Sequence, residues 1–81
     1  MKHTFNCAIL CTKQALLQQF ANMFCEMYSL NYDAFADVAT FCKEDQIWEF
    51  ENLDNYENPS LLREILQDIA NQNPHITVLE I

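Results

Sequence analysis

Two aspartates one helical turn apart, Asp33 and Asp37, are the residues of this chain best suited to chemistry on a partner. They sit in the run Asn31-Tyr32-Asp33-Ala34-Phe35-Ala36-Asp37-Val38-Ala39-Thr40, which reads as the start of a helix. Asn31 is a good N-cap, and Asp33 falls in the first turn, near the positive end of the helix dipole. Phe35, Val38 and Ala39 are spaced i, i+3 and i+4, so they share one face that can reach a core. Asp33 and Asp37 share another face. Like charges one turn apart repel by a few tenths of a kcal/mol, ~0.2–0.5, on an isolated helix. A negative edge kept at that cost points to a user outside the helix.

Other reactive types are present without a constellation around them. The chain has no Gly, so a Gly-rich phosphate loop is excluded. Glu49 and Glu51 form a second carboxylate pair, but no basic cleft accompanies either pair in the sequence. His3 and His75 stand near opposite ends, each at a strand start, and read as surface residues that the fold could bring near one another. Cys7, Cys11, Cys25 and Cys42 have no C-x-x-C spacing, and no H-x-x-H exists, so a zinc site is not expected. A nucleophilic Cys7 or Cys11 would need a positioned base that the sequence does not show. The expectation is a protein that binds rather than catalyses, with no cofactor and no metal. Four reduced, mostly buried thiols are expected, because no secretory context supports a disulfide framework.

The 81 residues suffice for one domain with a modest core, and 51% of them are hydrophobic. No apolar run approaches a membrane span, and no signal peptide follows Lys2, so a cytoplasmic location is the expectation. The net charge is −8 and uneven. Residues 1–42 carry two bases against three acids, residues 43–81 two bases against nine. Direct binding of nucleic acid or of an anionic membrane is disfavoured, because phosphate neutralisation needs a basic face. A basic protein is the partner such a charge attracts.

The elements that must position Asp33 and Asp37 follow from periodicity. Thr4–Leu10 reads as a buried strand. Thr12 caps a helix from Lys13 to Met27, with Leu16, Phe20, Met23 and Met27 in an apolar stripe. The acidic helix spans residues 31–41. Ile47–Phe50 is a strand with Trp48 and Phe50 on one side and Glu49 and Glu51 on the other. Leu53–Glu57 is a short helical turn or a loop. Asn58 and Pro59 start a helix with the stripe Leu61, Leu62, Ile65, Leu66 and Ile69, which Asn71-Gln72-Asn73-Pro74 stops. His75–Ile81 is a closing strand. Strands separated by helical crossovers imply an α/β fold with a three-stranded parallel sheet and helices packed on it. The rival is a ferredoxin-like order in which residues 35–42 form a strand beside 47–51. Without Gly, the turns must use Asn, Asp, Ser and Pro.

The run from Asn31 to Thr40, with Tyr28 in the loop before it, resembles the recognition helix of barstar-like proteins, the intracellular inhibitors of secreted bacterial ribonucleases. That family carries an Asn-aliphatic-Asp-Ala-Leu-aromatic-Asp-Ala-Leu-Thr run. Strand and helix order match over nearly the whole chain, and only the ten-residue motif is specific. The resemblance implies a barstar-like fold and an acidic helix that plugs the active site of a basic ribonuclease or nuclease toxin. Its partner-binding positions fall on Tyr28, Asn31, Asp33, Asp37, Thr40 and Asp68, with the carboxylates standing in for RNA phosphates. The chain departs from the pattern at Ala36, where the family has a tryptophan, at Ser29 for a loop glycine, and at Met27 for a second tyrosine. The implied protein is an immunity protein, of the toxin-antitoxin kind, and a monomer when free. Two other classes remain open. One is an acidic DNA-mimic inhibitor of a nucleic-acid enzyme from a phage or plasmid, on the ferredoxin-like fold, with its acids spread along Glu49–Glu57. The other is a regulatory adaptor with no nuclease target.

Overall fold

The computed structural model describes residues 1–24, 27 and 29–81. Strands β1 (Lys2–Asn6), β2 (Gln46–Glu51) and β3 (Ile76–Glu80) form one sheet in the order β1-β2-β3. Both pairings are parallel, with Phe5 beside Phe50 and Trp48 beside Val78. Helices α1 (Lys13–Met23), α2 (Tyr32–Thr40) and α3 (Pro59–Gln72) supply the crossovers, with a 3-10 turn at Leu53–Asn55. This is the α/β arrangement of three parallel strands with packed helices that the strand–helix alternation implies. Residues 35–42 are not a strand, and 35–40 lie within α2, so the ferredoxin-like order is excluded for this chain.

The core is aromatic. Phe5, Phe20, Phe35, Trp48 and Phe50 are all buried. Phe20 sits at its centre, 4.3 Å from Phe35, 4.6 Å from Phe5 and 5.0 Å from Trp48 between ring centroids. Residues alternate along a strand, so Trp48 and Phe50 enter this core while Ile47, Glu49 and Glu51 point to the opposite, open face of the sheet. The Trp48 indole N–H, which must find an acceptor once buried, donates to Gln46 Oε1 at 2.8 Å.

The ends of several elements differ from the sequence pattern for local reasons. β1 begins at Lys2 and stops at Asn6, four residues short of Leu10. Asn6 Oδ1 accepts the Ala8 N–H at 3.0 Å, and the Asn6 carbonyl accepts from Ile9 and Leu10, so the asparagine closes a turn where the hydrophobic run suggested strand. Ile9 is consequently exposed. α1 ends at Met23, because Phe24 is extended at φ −111° and ψ 100°. Phe24 and Met27 still reach the core from non-helical backbone. In this glycine-free chain Asn52 takes the left-handed conformation after β2 (φ 56°), which asparagine tolerates better than other side chains. Its amide donates to Asn6 Oδ1 at 2.9 Å.

His3 and His75 are not brought together. β2 lies between their strands, and His75 instead contacts Asp45 at 2.7 Å. Cys7, Cys11 and Cys42 are free thiols, with Cys11 exposed rather than buried, and Cys25 lies outside the described residues. No helix among the described residues is long and apolar enough to cross a membrane.

Candidate functional site

α2 is held at both ends. At its start Asn31 is extended (φ −136°, ψ 161°), and its Oδ1 accepts the Ala34 N–H at 2.7 Å. That is an N-cap bond, and it engages the Asn31 side-chain oxygen within the helix rather than toward a partner. The next residue, Tyr32, ties the helix to the segment after β2: its hydroxyl hydrogen-bonds the Tyr56 hydroxyl at 2.6 Å. Tyr56 is buried, and that burial, reinforced by the Tyr32 hydroxyl, pushes its phenol well above the ordinary tyrosine range. Lys13 sits over the Tyr32 ring, 5.7 Å from its centroid.

The far end of α2 is caught by a residue from another helix. Asn73, the C-cap of α3, is only 3% exposed. Its side-chain amide donates to the Ala39 carbonyl at 2.9 Å and to the Cys42 carbonyl at 2.8 Å. Its own oxygen accepts the His75 N–H at 3.0 Å, so one buried amide joins α2, α3 and the approach to β3. The C-terminal carbonyls of a helix have no intrahelical partner, and here a side chain supplies one.

Between these anchors, Phe35 and Ala39 are buried against the core, while Asp33 and Asp37 face outward. α2 packs on α3, and a groove of about 610 Å³ runs between them. Asp33, Asp37 and Thr40 line it from α2, and Asp68 lines it from α3. Its apolar lining includes Phe41, Leu61 and Ile65. Four of the six residues singled out in the sequence therefore share one surface. Asn31 does not line the groove and serves the helix cap. Tyr28 lies outside the described residues.

The carboxylates of the groove are not neutralised from within. Among the described residues the ion pairs are Lys2–Glu49, Arg63–Asp54 and Arg63–Glu80, His75 hydrogen-bonds Asp45, and none of these reaches Asp33, Asp37 or Asp68. A second groove of about 630 Å³ lies on the other side of Asp37 and Phe41, and Lys43 contributes to it, so its charge is mixed. The α2–α3 groove is lined by acids alone among charged groups, and it is the one suited to a cationic partner. Among the described residues no cluster of His, Cys, Asp and Glu is disposed to hold a metal ion.

Phe41 is the site residue the sequence reading passed over. It is 74% exposed at the end of α2, and it lines both grooves. A signal existed. The core stripe Phe35, Val38, Ala39 continues to Cys42, which leaves Phe41 off the buried face. Leu61 and Ile65 belong to the apolar stripe of α3, and they border the groove. Compared with models of known protein families and with curated protein sequences, the chain matches none.

Proposed function

We propose that this chain is a barstar-like inhibitor, an intracellular immunity protein that blocks a basic ribonuclease or nuclease toxin with its acidic α2 surface. The carrying observation is the α2–α3 groove, where Asp33, Asp37 and Asp68 converge without a cationic partner among the described residues, on a chain of net charge −8. An enzyme that binds RNA phosphates presents Arg, Lys and His in its cleft. Carboxylates on a helix fixed at both ends would meet those groups as charge-assisted hydrogen-bond acceptors. Fixing the helix beforehand lowers the ordering cost of binding. Charge attraction would speed the encounter.

A DNA mimic needs its acids free along an edge, and three of the four acids in the Glu49–Glu57 stretch are engaged within the chain, all but Glu51. Glu49 pairs with Lys2, Asp54 with Arg63, and Glu57 accepts the Lys13 N–H at 2.7 Å. This favours the groove over that edge as the binding surface.

The test is RNA cleavage by a panel of small basic ribonucleases and nuclease toxin domains, titrated with the parent and with Asp37→Ala; a panel in which the parent inhibits none would count against the inhibitor reading. A hydrogen bond to a charged group contributes about 1.5–3 kcal/mol. Asp37→Ala should therefore inhibit roughly ten- to a hundredfold more weakly. Glu80→Ala should inhibit as well as the parent, because Glu80 pairs with Arg63 away from the groove. Equal inhibition by Asp37→Ala and the parent would remove α2 as the recognition surface.

A further inference from the structure

Five of the six phenylalanines are buried, and Phe41 is the exception, at 74% exposed. Trp48 and Tyr56 are buried as well. Phe41 closes α2: its N–H donates to the Asp37 carbonyl at 3.3 Å, and its backbone lies at φ −95° and ψ 4°. That conformation is open to ordinary residues of any side chain, so the helix end does not explain a phenyl ring at this position.

Asp37 and Phe41 are the two residues common to the linings of both grooves beside α2. They therefore form the ridge between them. One helical turn separates the two residues, a spacing that holds Cβ atoms about 5–6 Å apart. The ridge thus offers a carboxylate and, beside it, the face of an aromatic ring. Its flank is anionic, because Asp33 and Asp68 line the α2–α3 groove and no ion pair among the described residues neutralises them.

A ridge of this kind fits a cleft that takes an anion and a flat apolar group side by side. A cleft that binds single-stranded RNA is built that way. Its cations hold the phosphate, and the neighbouring base stacks on an aromatic ring or a guanidinium plane. A phenyl ring carries the π face of a base without its hydrogen-bonding edges.

We propose that Phe41 is a base mimic, whose ring fills the base-stacking subsite of a ribonuclease while Asp37 stands at the place of a phosphate. This rests on the inhibitor reading and names the subsite of the enzyme that the end of α2 occupies. The pair imitates one nucleotide unit with two side chains on one rigid turn. Stacking does not read base edges, so the contact tolerates enzymes of different base preference.

The experiment is calorimetric titration of each ribonuclease in the panel that the parent inhibits, with the parent, Phe41→Ala, Phe41→Leu and Phe41→Trp. Phe41 is exposed, so the variants should fold, and circular dichroism checks this. Losing a base–aromatic stack should weaken Phe41→Ala about 5- to 150-fold. Phe41→Leu keeps apolar bulk without the flat face and should also bind more weakly, whereas Phe41→Trp should bind as tightly as the parent. Each titration is repeated with saturating adenosine, guanosine, cytidine or uridine, which carry a base and no phosphate, and separately with inorganic phosphate. A nucleoside that the enzyme binds should weaken the parent and leave Phe41→Ala nearly unchanged. Inorganic phosphate should weaken both, because Asp37 is present in both. Equal affinity of Phe41→Ala and the parent overturns the base mimic and leaves the inhibitor reading standing. Weaker binding by Phe41→Ala with the same nucleoside competition as the parent places the ring outside the base subsite and overturns it too. A panel in which the parent inhibits no enzyme overturns it together with the inhibitor reading.

Discussion

Replacing Asn73 by alanine tests whether one buried amide holds the acidic helix in place. The side chain makes three hydrogen bonds, to the carbonyls of Ala39 and Cys42 and from the N–H of His75, at 2.8 to 3.0 Å. A typical internal hydrogen bond contributes about 1 kcal/mol net, so their loss amounts to about 3 kcal/mol. Three facts bear on that figure. The Ala39 carbonyl keeps a second donor, the Cys42 N–H at 3.3 Å, which softens the loss there. Cys42 is only half-buried, so water can reach its carbonyl in part. Asn73 itself is 3% exposed, and the small cavity left by truncation acts in the opposite direction. The balance stays near 2–3 kcal/mol, a large share of the stability of a small domain. For a chain of this length that corresponds to a fall in Tm on the order of 10–20 °C. Urea and thermal unfolding followed by circular dichroism read it directly. Asn73→Asp separates the donor from the acceptor. It keeps an oxygen for the His75 N–H but turns a carboxylate toward two carbonyls, so its own pKa rises. Its folded form then binds the proton more tightly than its unfolded form, and the variant should gain stability as pH falls into the range where carboxylates titrate. If Asn73→Ala unfolds within ~0.5 kcal/mol of the parent, the range of an unremarkable surface substitution, the amide is not an anchor of α2.

Two further predictions concern titrating groups. Burial, then the Tyr32 hydroxyl, raise the Tyr56 phenol, so the folded chain keeps a proton that the unfolded chain releases near pH 10. The stability this confers is fully present below about pH 10 and falls as pH rises through that value; Tyr56→Phe should flatten this alkaline decline in a Tm-against-pH series, and an unchanged slope would discount the hydroxyl pair. Burial, with a smaller effect from Glu80, also raises the Cys7 thiol, whereas Cys11 is exposed. In the native chain Cys11 should react promptly with a thiol reagent and Cys7 only as the fold opens, and the chain denatured without reductant should titrate four thiols; two or none would overturn the expectation of reduced cysteines.

The sequence by itself determined the parts of this protein that depend on near neighbours. Thr12, Asn31 and Asn58 each cap a helix because the capping oxygen and the N–H it accepts are three residues apart, within reach of local geometry. The alternation of Trp48 and Phe50 with Glu49 and Glu51 set the buried side of β2 for the same reason. The face shared by Asp33 and Asp37 follows from 3.6 residues per turn. Where a local competitor lay inside an apolar run, the pattern overshot: Asn6 turns the chain before the hydrophobic run ends. Only the tertiary structure decided what depends on distant segments. Asp68 joins Asp33 and Asp37 because α3 packs on α2, an approach that no periodicity within either helix encodes. Asn73 read as a helix stop, yet its amide reaches back 34 residues to the Ala39 carbonyl. Phe41 lies off the stripe Phe35, Val38 and Ala39, but its place in the lining of a groove emerged only when α3 had packed on α2. Local hydrogen bonds and helical period act over a few residues, whereas a groove is the space left between packed elements, and its shape exists only once the whole chain has chosen its packing.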